Sequence, residues 1–257
     1  MTAAPIHRTD LDAIIRLVDL TSLGIDDTPA LIKALCWDAQ QPDPDDATVP
    51  PVAAVCVYPA LLPSAVNALR DTGIRIAAVA GAFPSGQADI ATKAAEAAAA
   101  VAAGAQEIDL TIDRRPVLAG SPEYAQVEVE AVRAAIGDVP LKVILETGEL
   151  EHPGLIATTA HHVIAGGADL LKTSTGKGFP GATPEIAAIL LAAATEHTAR
   201  PIGVKVSGGV RTVDAALEYL TLARKAYATD NLTPNQFRFG ASALLADLVR
   251  TRRTLTP

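Results

Sequence analysis

Cysteine and the large side chains are scarce in this sequence. Its 257 residues include two cysteines, one methionine and one tryptophan, and only 4% of the residues are aromatic. Cys36 and Cys56 do not form a C-x-x-C pair, so neither a disulfide framework nor a cysteine zinc cluster is supported. This cysteine usage favours a reducing compartment, and we expect a cytoplasmic protein.

An excess of positive charge and a long uncharged apolar run are also missing. The 29 acidic and 21 basic residues give a net charge of −8, which argues against a nucleic-acid-binding protein that needs a basic face. The alanine-rich run 97–105 is too short to span a bilayer, and the N-terminal MTAAPIHRTDLD has no apolar signal core. We therefore predict a soluble chain, neither exported nor membrane-bound, that binds any anionic ligand in a local pocket.

Short β-branched runs alternate with helical segments along the chain. Many of the runs are apolar on both faces, as strands covered by helices should be, and the segments between them carry apolar residues at helical spacing. Eight such runs predict an α/β protein with a (β/α)8 TIM-barrel fold, in one domain over residues 1–257 with an N-terminal helical extension. The runs occupy residues 18–21, 52–58, 74–80, 106–112, 141–146, 168–174, 202–208 and 237–240.

Glycine placement agrees with this periodicity, because a glycine precedes several strands where a helix commonly ends in a left-handed residue. An open doubly wound sheet is the alternative fold, but the turn after Tyr58 reads PALLPS instead of the expected G-x-G-x-x-G. Residues 40–51, which are rich in proline and aspartate, predict an exposed connection and not a domain boundary. The helix-ending glycines are Gly73, Gly104, Gly137 and Gly167.

Two lysines are candidates for carbonyl chemistry. Lys172 and Lys205 lie 33 residues apart on successive predicted strands, and parallel strands end on one rim of a barrel. Burial and mutual repulsion would lower a lysine pKa and provide a neutral amine, which attacks a carbonyl to form a Schiff base. Asp109, in the apolar run EIDLTI, could move the required protons. Alternatively, the lysines are solvated and Asp109 caps a helix or pairs with an arginine.

A phosphate site is predicted at the loops after strands 7 and 8, where barrels frequently bind phosphate. These loops contain glycines that let backbone N–H groups approach an anion, although ordinary turn chemistry is the alternative. The candidates are Gly208, Gly209, Arg211, Gly240 and Ser242. Glu146, at a strand end in LETGEL, could reach the same mouth or pair with Lys142, and both are secondary candidates.

Two other kinds of site are not supported. The TSTGKG segment is not a Walker A loop, because Leu171 occupies the first glycine position and Gly178 replaces the serine or threonine. The adjacent His161 and His162 would point about 100° apart on a helix, and no H-x-H or H-E-x-x-H spacing occurs among the five histidines. We therefore expect neither a metal nor another cofactor.

Several motifs, in order along nearly the whole chain, resemble those of deoxyribose-phosphate aldolase, a class I aldolase family with the (β/α)8 fold. The resemblance implies reversible cleavage of 2-deoxy-D-ribose 5-phosphate to D-glyceraldehyde 3-phosphate and acetaldehyde, in deoxyribonucleoside catabolism. It also implies a homodimer without nucleic-acid or membrane partners. The motifs are LVDLTSL, AAVCVYP, EIDLTI, LKVILETGEL, ADLLKTSTGKG, GVKVSGGVRT and FRFGASALL.

The resemblance also implies individual roles. Lys172 would be the Schiff-base lysine, Lys205 the neighbour that lowers its pKa, and Asp109 a participant in proton transfer with a water. Asp19 would have a positioning role. Val206 stands where many relatives carry proline, and Ala243 stands in place of a second serine. The residues that fall on phosphate-binding loops are Gly176, Lys177, Gly208, Gly209, Arg211 and Ser242.

Two rival functions stay open at this point. One is another lysine aldolase of the same fold, such as a transaldolase-like enzyme acting on longer sugar phosphates. The other is a phosphosugar-binding barrel that uses the same glycine loops without catalysis. Substrate tests and Schiff-base trapping distinguish all three.

Overall fold

The computed structural model describes residues 6–178 and 180–255, which form a closed barrel of eight parallel strands with helices between them. Each strand pairs with the next in chain order, and β8 closes the barrel on β1. The predicted (β/α)8 barrel is confirmed, and the open doubly wound alternative is wrong. The strands are β1 Val18–Thr21, β2 Ala54–Val57, β3 Arg75–Ala80, β4 Glu107–Thr111, β5 Leu141–Ile144, β6 Leu170–Lys172, β7 Gly203–Ser207 and β8 Phe237–Ala241.

The helices begin and end where the local chemistry favours it. Thr28, Asp89, Thr183 and Thr212 each precede a helix and accept a backbone N–H of its first turn through their side chains. The four helix-ending glycines predicted above all have positive φ. The helices are α1 Arg8–Ile15, α2 Pro29–Gln40, α3 Leu62–Ala68, α4 Ile90–Ala102, α5 Arg114–Leu118, α6 Glu123–Ile136, α7 Thr147–Leu150, α8 Pro153–Ala165, α9 Pro184–Glu196, α10 Val213–Tyr227 and α11 Leu244–Thr254.

Across residues 6–178 and 180–255, no helix is both long enough and apolar enough to cross a membrane. Helix α1 precedes the barrel, at the place where the sequence predicts a helical extension. The first five residues of the N-terminal segment considered for a signal lie outside the described residues.

The barrel separates an apolar layer from a charged interior. In β7, Val204 and Val206 are fully buried in the hydrophobic core, and Lys205 between them points to the opposite face because strand side chains alternate. Burying a valine side chain contributes about 1.5–3 kcal/mol, so this layer favours the closed barrel. Val206, the departure noted beside the second lysine, therefore packs in the core and does not line the mouth.

The segment 40–51 is less exposed than its composition predicts. After Gln40 ends α2, the segment has neither helix nor strand, as expected, but Asp43 and Val49 are only 2% and 6% exposed. The Arg253 guanidinium of α11 donates to both carboxylate oxygens of Asp43, at 2.7 and 2.5 Å. This pairing supplies the charge compensation that a buried carboxylate requires.

Candidate active site

Lys172 and Lys205 lie next to each other inside the barrel, as their spacing predicts. Lys172 is the last residue of β6, Lys205 is the central residue of β7, and the two are register partners in the parallel ladder. Both are buried, with exposures of 2% and 0%. The alternative of two solvated loop lysines is therefore excluded.

Asp109 joins the two lysines through one oxygen. Lys172 Nζ and Lys205 Nζ each donate to Asp109 Oδ2 at 2.8 Å, and Lys142 Nζ donates to Asp109 Oδ1 at 2.9 Å. Asp109 is fully buried at the middle of β4, so it neither caps the next helix nor pairs with an arginine. The Asp109 carboxylate thus accepts hydrogen bonds from three lysine side chains.

Asp19 extends this arrangement toward β1 and β8. Its Oδ2 accepts Lys205 Nζ at 2.6 Å, and its Oδ1 accepts Arg238 Nη1 at 2.5 Å. Arg238 Nη2 also donates to Glu107 Oε1 at 2.8 Å, and Lys142 Nζ lies 2.6 Å from Glu107 Oε2. We call these residues the charged cluster: Asp19, Glu107, Asp109, Lys142, Lys172, Lys205 and Arg238.

The charged cluster contains three carboxylates and four basic groups. If all seven groups were ionised, the buried cluster would carry an uncompensated positive charge, which is costly in a low-dielectric interior. A neutral amine at one basic group leaves three anions opposite three cations. The composition of the cluster therefore favours one uncharged lysine.

The pKa shifts distinguish Lys172 from the other lysines of the charged cluster. Burial lowers the pKa of Lys172, and the Lys205 ammonium acts in the same direction, against the opposing charge of Asp109. Burial also disfavours the charged form of Lys205, but Asp109 and Asp19 outweigh it and raise that pKa. The pKa of Lys142 is raised in the same way by Asp109 and Glu107. Lys172 is thus the lysine of the charged cluster whose pKa falls.

The pKa values of the carboxylates Asp109 and Asp19 are lowered. Burial would raise the pKa of Asp109, yet Lys142, Lys172 and Lys205 together hold it well below its usual value. For Asp19, the charges of Arg238, Lys205 and Lys142 likewise outweigh burial and lower the pKa. Both carboxylates are therefore ionised at neutral pH.

A cavity of about 170 Å³ opens beside Lys172. Its walls come from the loops after β6, β7 and β8 and include every residue that the sequence places in the phosphate site. A Cβ at Gly240 would lie within 2.8 Å of Lys205 Cε, so only glycine leaves space for that side chain. Thr21, Thr175 and Ser207, which were not predicted, also line it, as does Ala243, which stands in place of a second serine. The predicted residues are Gly176, Lys177, Gly208, Gly209, Arg211, Gly240 and Ser242.

A small apolar cluster lies beside Asp109. Leu23, Cys56 and Val79 belong to a small buried cluster against which Tyr58 and Phe83 pack. Cys56 Sγ lies 3.8 Å from Asp109 Oδ2, and burial together with that negative charge raises the thiol pKa to about 11. Cys56 is therefore a neutral thiol at physiological pH and contributes apolar surface beside the charged groups.

The two secondary candidates have different places. Lys142 belongs to the charged cluster, whereas Glu146 neither enters that cluster nor pairs with Lys142. The Glu146 carboxylate instead accepts the backbone N–H of Thr175, at 3.3 and 3.2 Å. His161 and His162 lie on α8, where one is near Glu196 and the other contacts Gln126. In the described part of the chain, no group of three or more His, Cys, Asp or Glu side chains is arranged to hold a metal ion.

Glu107 and Arg238 are the members of the charged cluster that sequence reasoning missed. Each stands two residues before a recognised position in its strand, Glu107 before Asp109 and Arg238 before Gly240. Because side chains alternate along a strand, residues two apart share a face, and both face the barrel interior. This period-two spacing of polar residues within apolar runs is the signal that could have identified them.

Comparison with known proteins identifies aldolases as relatives of this chain. The family model described as "DeoC/LacD family aldolase" matches residues 15–249. A crystal structure from Coccidioides immitis, provisionally named a deoxyribose-phosphate aldolase, is 30% identical, with a TM-score of 0.80 over 98% of this chain and 88% of that chain. One from Toxoplasma gondii, named in the same way, is 25% identical, with a TM-score of 0.86 over 97% and 96%.

The closed barrel and the family match together define a TIM-barrel aldolase. The chain belongs to the DeoC/LacD family of aldolases, since the family model covers most of its length. The tetrameric deoxyribose phosphate aldolase from Aeropyrum pernix is 22% identical and has a TM-score of 0.74 over 97% of this chain and 94% of that chain; at this identity it shows a shared fold.

Proposed function

We propose that this aldolase reversibly cleaves 2-deoxy-D-ribose 5-phosphate into D-glyceraldehyde 3-phosphate and acetaldehyde through a Schiff base on Lys172. The observation that carries the proposal is that Lys172, the lysine of the charged cluster with a lowered pKa, lines the cavity formed by the glycine-rich loops. Membership of the family and the names of the relatives support the choice of substrate.

The reaction begins when the uncharged Lys172 Nζ attacks the C1 aldehyde of the open-chain sugar. Loss of water gives a protonated imine, which accepts the electron pair of the C2–C3 bond as that bond breaks. The C3 hydroxyl loses its proton and becomes the aldehyde of glyceraldehyde 3-phosphate. Protonation of the remaining enamine at C2 and hydrolysis of the imine release acetaldehyde and restore the amine.

We assign the proton transfers of these steps to Asp109. Its Oδ2 lies 2.8 Å from Lys172 Nζ, within the distance that general acid–base catalysis requires, and a water would extend its reach to the substrate. Lys205 keeps Asp109 ionised and opposes protonation of Lys172, because its ammonium contacts the same oxygen. Asp19 holds Lys205 in place from the other side.

The substrate phosphate would bind in the loops after β6, β7 and β8. Gly208 and Gly209 have φ of +82° and +91°, which glycine readily adopts, and without side chains they let an anion approach the backbone N–H groups closely. Lys177 and Arg211 line the same cavity and add positive charge, and Ser242 adds a hydroxyl. Ala243 also lines the cavity but has no polar side-chain group, so the hydroxyl at this part of the loop comes from the adjacent Ser242.

The direct test is to incubate the purified protein with 2-deoxyribose 5-phosphate and to measure both products. We expect acetaldehyde and glyceraldehyde 3-phosphate in equal amounts, no activity in Lys172→Leu, and unchanged activity in Lys33→Leu, which alters an exposed lysine of α2. Chelator should leave turnover intact, whereas a loss restored by zinc would favour a metal-dependent aldolase. Absence of acetaldehyde would refute the proposed substrate.

Two rival functions give other results. A transaldolase-like enzyme would act on longer sugar phosphates and would not use acetaldehyde as donor. A non-catalytic phosphosugar-binding barrel would bind glyceraldehyde 3-phosphate without Schiff-base trapping. The lowered pKa of the buried Lys172 favours catalysis over binding alone, because a site that only binds a phosphosugar gains nothing from a lysine that loses its proton more readily.

The remaining expectations from the family resemblance are also proposals: a homodimer, a cytoplasmic location and a role in deoxyribonucleoside breakdown. Light scattering during size-exclusion chromatography would measure the oligomeric state. A mass of twice 26.5 kDa would support the homodimer, and any other mass would contradict it.

A further inference from the structure

Glu146 has no role in the proposed chemistry, yet its placement is unusual. It lies between β5 and α7 in the left-handed region, with φ of +52°, which is uncommon for a residue other than glycine. Its side chain is buried, and within the described residues its carboxylate has no ion-pair partner. A buried carboxylate in a rare backbone conformation is costly, so the contact it makes calls for a functional explanation.

That contact is with the backbone of the loop after β6. Both carboxylate oxygens of Glu146 accept the N–H of Thr175, at 3.3 and 3.2 Å. The next residue, Thr147, donates its own N–H to the carbonyl of Thr173 at 2.9 Å. A Cβ on Gly148 would collide with the carbonyl of Pro180, so this segment packs directly on the loop. Three consecutive residues therefore hold the loop at three points.

The loop after β6 carries Lys177, one of the positively charged residues of the phosphate cavity. Lys177 donates its backbone N–H to Thr175 Oγ1 at 3.1 Å and its ammonium to the carbonyl of Leu23 at 2.5 Å. Thr175 and Lys177 both line the cavity, whereas Glu146 does not. A displacement of the Thr175 backbone would therefore displace Lys177 at the site of the phosphate.

We propose that Glu146 is a positioning residue for phosphate recognition. Its carboxylate fixes the Thr175 backbone and, through Thr175, the position of Lys177. This role rests on the proposed function, because it assigns Glu146 to the capture of the phosphorylated substrate. Lys172 and Asp109 are hydrogen-bonded to each other inside the barrel, so the imine chemistry does not depend on the contact of Glu146 with Thr175.

Three variants separate the role from a general effect on folding. Glu146→Leu removes the acceptor and leaves the Thr175 N–H without a partner, whereas Glu146→Gln keeps one oxygen that can accept it. Gly148→Ala perturbs the same packing from a second point. Glu149→Gln is the matched control, because Glu149 belongs to the same segment but bonds Arg114 and not the Thr175 backbone.

The measurement compares kcat and KM for 2-deoxyribose 5-phosphate and for unphosphorylated 2-deoxyribose. For Glu146→Leu we expect KM for the phosphorylated sugar to rise about tenfold or more, the range that follows from an unsatisfied buried N–H. The kcat/KM for 2-deoxyribose should be unchanged. Glu146→Gln should restore most of the KM, Gly148→Ala should reproduce the selective rise, and Glu149→Gln should match the wild type.

Equal losses for both sugars, or no change in Glu146→Leu, would overturn the proposal. If Glu146→Leu does not fold, Gly148→Ala decides: a selective rise supports the role, and an equal loss for both sugars refutes it. If the wild type cleaves neither sugar, the proposed function fails separately. The positioning role is then judged by the Kd for inorganic phosphate, which should be weaker in Glu146→Leu, and an unchanged Kd would refute it.

Discussion

Lys172 and Lys205 are register partners on neighbouring strands, and the Nζ atoms of both contact the same oxygen of one buried carboxylate at 2.8 Å. This shared contact couples their protonation. Because Asp109 and Asp19 stabilise the charge on Lys205, that charge stays in place and disfavours a second one on Lys172. The pKa of Lys172 is thus lowered by its neighbour as well as by burial.

Replacing Lys205 should therefore shift the pH dependence of Schiff-base formation. In Lys205→Leu the pKa of Lys172 should rise, since a repelling charge is removed and Asp109 becomes free to hold Lys172 protonated. The pH midpoint for trapping acetaldehyde with borohydride should move to higher pH, and turnover at pH 7 should fall about 100-fold or more. Lys33→Leu serves as the control. An unmoved midpoint would contradict the role of Lys205.

Replacing Asp109 should separate imine formation from turnover. Asp109→Asn keeps the size of the side chain but cannot transfer a proton, so kcat should fall about 10²–10⁴-fold. The charge that favours protonated Lys172 is also lost, so acetaldehyde should still be trapped on the enzyme at neutral pH. Trapping and turnover that fall together in a folded variant would show that Asp109 acts on imine formation itself.

Replacing Lys142 tests how much the charged cluster contributes to the stability of the fold. Its ammonium contacts Asp109 and Glu107 in the barrel interior, and both carboxylates raise its pKa. Lys142→Met leaves these anions undercompensated, and breaking a buried ion pair costs about 3–5 kcal/mol of the free energy of unfolding. Urea unfolding should show this loss, with Lys33→Met unchanged. A difference below about 1 kcal/mol, the range of exposed pairs, would contradict it.

Much of the fold could be predicted from the sequence because each strand is a short apolar run bounded by turn residues. Predicted and observed bounds agree for 18–21, whereas the run 168–174 extends beyond the strand Leu170–Lys172. There Thr173 continues the interaction with β7 through its side chain, which bonds both the N–H and the carbonyl of Ser207. An apolar run followed by such side-chain pairing resembles a longer strand.

The site was predictable only in part, for a different reason. Lys172 ends its strand, at the rim where barrel active sites form, whereas Lys205 and Asp109 lie at the middle of theirs. The contact of Arg238 with Glu107 joins residues 131 positions apart across the barrel interior, and no local pattern encodes that distance. The balance of charges in the cluster, which favours one neutral lysine, depends on Arg238 and Glu107.

The connection 40–51 provides a test of stability against pH. Thr48 donates hydrogen bonds to the carboxylate of Asp46, Arg252 adds another, and together they lower its pKa from 3.8 to about 2. Because the folded-state pKa lies below the unfolded one, the stabilisation is complete above pH 4 and is lost as the pH falls toward 2. Asp46→Asn should thus be less stable than the wild type at pH 6.

The stability gap between Asp46→Asn and the wild type should narrow progressively between pH 4 and pH 3. Urea unfolding at a series of pH values measures it, with Asp38→Asn on the exposed face of α2 as the control. A gap that stays constant down to pH 3 would show that Asp46 stabilises the connection without its charge.

The most direct test of Lys172 as the Schiff-base lysine is to locate the Schiff base on the protein. The protein is incubated with acetaldehyde, reduced with borohydride and digested, and the modified peptide is identified by mass spectrometry. We expect a stable ethyl adduct on Lys172, with none on Lys205, Lys142 or Lys177. An adduct on one of those lysines alone, or no adduct at all, would contradict it.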